Sequence, residues 1–170
     1  MADQNGKEIA QGIRAKAAEF RKSCEGVDEE GSSRAPEGRW SPKQIISHLC
    51  GPEGIGHLPS LKAFIDLETP EIDMKAENPF WEGKRSRMTL AGLLAEFDRE
   101  YEGIAAFVEG LTKEQLERKA HIPMLKDSPL GEYPTLAQWA FGLGNYHIGF
   151  HIDHLNEILQ ALGLRGTKTG

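Results

Sequence analysis

Three helix-start signals constrain the fold of this chain more than any other feature. Three times a hydroxyl residue is followed three positions later by glutamine, at Ser41 and Gln44, Thr112 and Gln115, and Thr135 and Gln138. In this pattern the hydroxyl accepts from a free N–H group of the first turn, while the glutamine side chain reaches back to the capping residue. Pro42 strengthens the first signal, because a missing N–H costs nothing at the first helical position. The pattern predicts three helix starts.

Apolar residues recur at helical spacing in four segments. The segments cover residues 7–24, 40–65, 89–108 and 135–163, and the second is broken near Gly51 and Pro52. The connections between them contain glycine and proline, and none of the segments alternates with the period of two that a strand requires. The sequence therefore predicts an all-α chain folded as a helix bundle.

Composition limits the class of protein. A length of 170 residues, with 39% hydrophobic and 27% charged residues, predicts a single domain over residues 1–170 with a real core. No apolar stretch approaches the roughly 20 residues that cross a bilayer, so no membrane association is expected. The net charge of −6 comes without any basic stripe, which argues against nucleic acid as a partner.

The expected compartment is the cytoplasm. The first residues are polar and lack the apolar core of a secretory signal. Cys24 and Cys50 are the two cysteines, and they do not form a C-x-x-C pattern, so two reduced thiols are predicted. Cys50 lies two residues after His48 and is expected to point away from it as a small buried side chain.

Histidines carry the clearest chemical signal. Three of the six are His147, His151 and His154, and residues four apart on a helix have Cβ atoms about 5–6 Å apart. Two imidazoles on one face can bind one ion such as zinc, nickel, copper or iron, with a third ligand from another helix. Spacings of three, four and seven all place two of these histidines on one face, and the apolar stripe through Leu143 and Leu155 favours His147 with His151 only mildly.

Each histidine also has a purely structural interpretation. His147 and His151 can form a polar pair on a half-buried face, although two imidazoles without a ligand there would be costly to bury. His48, flanked by isoleucines and a leucine, taken alone indicates a hydrogen-bonded core histidine. His154 is expected to support a ligand or to lie on the surface, and Asp153 is a further candidate for orienting a ligand imidazole. Loop or helix-end roles are expected for the remaining two, His57 and His121.

Two blocks of sequence resemble the DinB/YfiT-like superfamily. The start of that family's second helix is similar to Trp40-Ser41-Pro42-Lys43-Gln44-Ile45-Ile46-Ser47-His48-Leu49. Its last helix, with an H-x-x-x-H ligand pair, is similar to the run from His147 to Leu155 that is followed by Gly163. The blocks lie about a hundred residues apart, as in the family.

The resemblance implies an up-down-down-up four-helix bundle with a metal site at one end. His48, His147 and His151 would be the ligands of one divalent ion, zinc or nickel first, with iron or manganese as alternatives. The family often has glutamine at the position of His154, and a smoother helix where this chain has Gly51-Pro52-Glu53-Gly54. Both differences fall close to the implied site.

The resemblance implies a metal-dependent transferase or isomerase. Such an enzyme would use a low-molecular-weight thiol, such as bacillithiol or mycothiol, and act on a small electrophile. Metal-dependent hydrolysis of a small amide or ester is an alternative, and so is a non-catalytic metal-binding stress protein. No residue is singled out as a general base. Because helix bundles commonly dimerise through a helix face, a homodimer is also expected.

Overall fold

Every regular element of the chain is helical in the computed structural model, which describes residues 5–74 and 77–165. Two isolated bridges are the only strand-like pairings in these ranges. The predicted all-α class is therefore confirmed. Within the same ranges, none of the helices combines the length and the apolar character that a bilayer span requires.

The first helix, α1, spans Gly6–Ser23, within one residue of the predicted segment. Asn5 caps it by accepting a hydrogen bond from the Glu8 N–H group at 3.0 Å, which satisfies one of the free donors of the first turn. A single helical turn, α2, forms at Glu29–Ser32. This turn lies inside a stretch for which the sequence predicted only a loop.

The second bundle element is divided into two helices, as the glycine and proline predicted. Helix α3 spans Pro42–Cys50, and its capping box is complete: Ser41 Oγ accepts from Gln44 N–H at 3.2 Å and Gln44 Oε1 accepts from Ser41 N–H at 2.8 Å. Gly51 ends the helix at φ +75°, a left-handed conformation that favours glycine. The chain becomes helical again in α4, Leu58–Asp66.

The third bundle element, α5, spans Leu90–Glu109 and begins at the predicted cap Thr89. The second capping box opens the short helix α6, Lys113–Leu116. The connections on either side of these helices are irregular apart from two 3₁₀ turns, Arg85–Arg87 and Pro123–Leu125. The irregular connections that the sequence predicted are therefore confirmed.

The last bundle element departs from the uninterrupted helix that the sequence predicted. It consists of α7, Leu136–Phe141, a π-helical turn at Gly142–His147, and α8, Ile148–Ala161. Gly142 and Gly144 lie in the wider turn, where glycine weakens the normal helical preference. Turns of this kind occur often at functional sites, and this one ends on a candidate ligand.

Helix packing brings α3 and α8 together at the site. Helix α1 packs against α5 and α8, and α3 packs against the same two helices, which gives a four-helix bundle. The long connection 67–89 fits the up-down-down-up order, because neighbouring helices that run the same way need a chain return between them. Fully buried side chains from all four elements form the core, among them Ile13, Phe20, Ile45, Leu49, Phe97, Ile104, Leu155 and Ile158.

Buried polar contacts hold the end of α3. The Arg85 side chain, 1% exposed, donates to the Ser47 carbonyl at 3.0 Å and to the Gly51 carbonyl. It also pairs with Glu96 at 2.9 Å. The last carbonyls of a helix lack partners within the helix, so the guanidinium satisfies them and fixes the helix that carries His48.

Candidate metal centre

The structure brings His48, His147 and His151 together. One ring nitrogen of each lies within 4.8 Å of the others, and His48 Nε2 is 2.9 Å from His147 Nε2. Two nitrogens that each lie about 2.0–2.1 Å from one ion are roughly 3 Å apart. The donor set is therefore compact enough to hold a single ion, and among the described residues it is the group of His, Cys, Asp and Glu with this spacing.

The two helices set this geometry. His48 lies in the last turn of α3 and is 8% exposed, while His151 lies in α8 and is 5% exposed. His147, the final residue of the π-helical turn, is half-buried and lies four residues before His151. Because α3 packs directly on α8, the single histidine of α3 lies against the two histidines that are four residues apart in the last bundle element.

A loop carbonyl orients His48. His48 Nδ1 donates to the Asn78 carbonyl at 2.7 Å, which leaves Nε2 to face the other histidines. The Asn78 side chain accepts from Phe80 N–H at 2.8 Å, and the Phe80 ring stacks on His48 with centroids 6.3 Å apart. Phe80 holds φ +49°, a strained value for an aromatic residue of the kind found near functional sites. Sequence reasoning missed this loop, because an irregular segment carries no periodic signal.

The other two candidate ligands have different neighbours. His151 Nδ1 lies 3.2 Å from His154 Nδ1, so His154 makes the contact with a ligand that its expected supporting role requires. His147 Nδ1 is buried and has no hydrogen-bond partner among the described residues. Asp153 is exposed and no hydrogen bond joins it to a ligand in the described part of the chain, so the sequence-based candidate for orienting an imidazole is replaced by His154.

Burial keeps the imidazoles neutral. It lowers the pKa of His48, lowers the pKa of His147 to about 3 and lowers the pKa of His151 to about 2, with neighbouring histidines as the further cause for the latter two. The pKa of His154 is also lowered, first by burial and then by the charge of Arg39. Metal ions bind the neutral form of imidazole, so the protonation state fits a metal site.

Aromatic rings lie beside His48 and His151. Trp40 lies 5.1 Å from His48 and stacks on His151 at 6.4 Å, measured between ring centroids. Phe150 meets His151 edge-on at 5.1 Å and is 60% exposed. Large exposed apolar side chains beside a polar cluster are characteristic of ligand-binding surfaces. These apolar surroundings also explain why burial is the largest cause of the lowered pKa values of His48, His147 and His151.

The remaining histidines and the cysteines lie outside this group. His57 is buried beside α4 and bonds the Leu49 carbonyl through Nε2 at 3.0 Å, whereas His121 lies in a loop. Both match their expected positions. Cys24 and Cys50 are buried and free, and burial raises the pKa of each thiol to about 12, which makes both unreactive as nucleophiles.

A surface groove between α1 and α5 has no part in this site. Its volume is about 840 Å³, and none of the histidines lines it. Arg14 and Arg21 on its walls pair with Glu102 and Asp98 at 2.8 Å and 3.3 Å. The groove is therefore a solvated, charged surface rather than a site for chemistry.

Comparison with known proteins agrees with this fold. The chain matches the family model of the DinB superfamily over residues 13–158. It is similar to the solved structure of YfiT from Bacillus subtilis, described as a probable metal-dependent hydrolase with an unusual four-helix bundle topology. That likeness has a TM-score of 0.72 and 22% sequence identity, and it covers 97% of this chain and 91% of the other. The comparison with curated proteins gives no significant match. Since the family model spans most of its length, the chain belongs to the DinB superfamily.

Proposed function

We propose that this protein is a divalent-metal-dependent enzyme that transfers a low-molecular-weight thiol to a small electrophile. His48, His147 and His151 would hold the ion, zinc or nickel first, with iron or manganese as alternatives. Three histidine ligands leave coordination positions free for a substrate, which is the pattern of catalytic rather than structural sites. When bound there, a divalent ion lowers the pKa of a thiol or water molecule that it coordinates.

The polar contacts of the three histidines carry this proposal. Their ring nitrogens contact a backbone carbonyl and other histidines, and His147 Nδ1 has no partner among the described residues. Within residues 5–74 and 77–165, no hydrogen bond or ion pair joins a carboxylate to any of the three rings. Metal-dependent hydrolases of the H-E-x-x-H type place a glutamate beside the ion as general base. A thiol needs less help, because its ordinary pKa of about 8.5 is already close to neutral pH.

The aromatic surface gives the electrophile a place to bind. Trp40, Phe80 and Phe150 contact the histidine rings, and they would favour an apolar electrophile over a charged one. In the proposed transfer the thiol loses its proton to solvent and its sulfur forms a bond to carbon. The leaving group of the electrophile departs with the electron pair of the broken bond.

Monochlorobimane tests the proposal, because displacement of its chloride by a thiol gives a fluorescent conjugate. The protein is loaded with zinc or nickel and assayed with bacillithiol, mycothiol or cysteine. We expect conjugation above the uncatalysed rate that is lost with a chelator and in the His151→Ala variant. A His121→Ala variant, which changes a histidine outside the cluster, keeps the rate. Absence of metal-dependent conjugation with every thiol contradicts the proposed transfer.

Hydrolysis is the second candidate, and the likeness to YfiT favours it, since that protein is described as a probable metal-dependent hydrolase. A panel of small esters and amides, assayed with the same metal-loaded protein and the same variants, tests it. Metal-dependent product release without thiol conjugation would identify a hydrolase. Failure of both assays in a protein that binds metal would leave a non-catalytic metal-binding protein.

A further inference from the structure

The three candidate ligands use their second ring nitrogens in different ways. His48 Nδ1 donates to a backbone carbonyl, and His147 Nδ1 has no partner among the described residues. His151 Nδ1 meets the Nδ1 atom of His154 at 3.2 Å. A metal-ligating histidine usually donates its other N–H to an acceptor that fixes its tautomer and its ring orientation. For His151 the one side chain in that position is another histidine.

A single proton joins the two Nδ1 atoms, so one ring donates and the other accepts. Because His151 Nδ1 is engaged in this contact, Nε2 is the nitrogen left for an ion, and it must carry no proton. In a neutral ring the proton of His151 then lies on Nδ1, which makes His151 the donor and His154 the acceptor. The reverse arrangement would put the proton of His151 on Nε2 and block it as a ligand.

The position of His154 is fixed by the helix and by its neighbours. It lies three residues after His151 in α8, a separation that places two side chains side by side. The Trp40 ring lies 5.9 Å from the His154 ring, between centroids. An ion pair of Arg39 with Glu157, at 2.9 Å, lies at the same edge of the site. The acceptor is therefore held by its own helix and by the residues that immediately precede α3.

We propose that His154 is a positioning residue, whose Nδ1 accepts a hydrogen bond from His151 Nδ1–H and thereby presents His151 Nε2 to the ion. The role rests on the proposed metal centre but adds a residue that does not bind the ion itself. Asp153, the exposed neighbour on the same helix, has no comparable contact among the described residues. The support for the ligand pair thus comes from within the helix that carries it.

Two substitutions separate this role from simple packing. In His154→Asn the side-chain oxygen can take the place of the accepting Nδ1, whereas His154→Leu fills similar space without an acceptor. Competition with a chromophoric chelator measures zinc affinity. We expect the leucine variant to bind zinc roughly 10–100-fold more weakly than wild type, and the asparagine variant to bind close to wild type. A His121→Leu variant is the matched control, and circular dichroism checks that each variant is folded.

Nitrogen-15 NMR of the metal-free protein reads the tautomer directly. We expect His151 to carry its proton on Nδ1 in wild type and in His154→Asn, and to shift toward the Nε2–H form in His154→Leu. Equal zinc affinity of wild type and the leucine variant, equal weakening of both variants, or one tautomer in all three proteins would overturn the proposal. Cobalt substitution distinguishes a direct ligand: a changed donor set in the visible spectrum of His154→Leu contradicts the positioning role. If wild type bound no metal, the proposed function would fail, while the NMR result would still decide the role of His154.

Discussion

At the scale of single residues, burial keeps the three candidate ligands in the neutral form that a metal ion requires. Burial is the first cause of the lowered pKa of His48, His147 and His151. The rings are therefore already in the neutral form that metal ions bind near neutral pH. The same burial makes an empty cluster unfavourable, because polar groups that are removed from water need partners.

Replacing His151 with alanine should abolish stoichiometric metal binding and leave a helical protein. The His151 ring contacts both of the other rings, with centroids 4.6 Å from His48 and 4.8 Å from His147. Metal analysis together with circular dichroism measures both properties. Unchanged metal content would show that the ligand set is wrong, and His154 would then be the next candidate ligand.

His57 should make the stability of the metal-free protein depend on pH. Burial lowers the pKa of His57 to about 4, against about 6.5 in an unfolded chain. Between these values the unfolded chain binds a proton that the folded protein does not bind. The stability linked to His57 is therefore complete above about pH 6.5 and is lost as the pH falls toward 4, by up to roughly 1.4 kcal/mol per pH unit.

Urea unfolding of metal-free protein between pH 7 and pH 5 measures this dependence. The variant His57→Gln keeps an N–H group that can donate to the Leu49 carbonyl but cannot be protonated in this range. Its free energy of unfolding should fall less steeply with acidification than that of wild type. Equal slopes for the two proteins would mean that His57 is not the neutral, buried group described above.

At the scale of elements, local sequence signals predicted the helices but not the loop that supports the site. The capping boxes at Ser41, Thr112 and Thr135 all form, because their hydrogen bonds join residues three apart. Asn78 and Phe80 act on His48 from thirty or more residues away, through a segment with no periodicity. The widened turn at Gly142–His147 was also missed, since two glycines within an otherwise helical segment do not by themselves predict a π-helical turn.

Arg85 should be essential to the end of α3. Replacing it with methionine leaves the buried Glu96 contact and the carbonyls of Ser47 and Gly51 without their donor. Breaking a buried ion pair lowers the free energy of unfolding by about 3–5 kcal/mol. Because Glu96 is partly exposed, we expect a loss at the lower end of this range. Urea unfolding compares Arg85→Met with Arg87→Met, in which an exposed arginine two residues away is changed. Similar losses in both variants would contradict this role.

The close approach of the last helix to α1 depends on Gly144. A Cβ atom at this position would lie 2.3 Å from Ile13 Cγ1, and a branched side chain in a core cannot move aside freely. We expect Gly144→Ala to destabilise the protein by about 1–3 kcal/mol. In the control variant Gly103→Ala the added methyl meets nothing within 4 Å, so a gain of about 0.5–1 kcal/mol is expected. Thermal unfolding that ranked the two variants in the opposite order would exclude this explanation.

At the scale of the whole molecule, the site exists because two distant helices are packed face to face. His48 and His147 are 99 residues apart in sequence, yet their Nε2 atoms lie 2.9 Å apart. The spacing of His147 and His151 is readable from the sequence, since it is a property of one helix. The partner from α3 is not, because its place depends on the packing of the bundle. Only the resemblance to a family singled it out from the other histidines.

Metal content of tag-free protein, purified without chelators, tests the central claim most directly. Plasma mass spectrometry is applied to wild type, to His48→Ala and to His121→Ala as the control. About one divalent ion per chain is expected in wild type and in the control, and none in His48→Ala, because the single ligand from α3 is lost. No metal in wild type even after reconstitution, or the same content in His48→Ala, would contradict the metal centre.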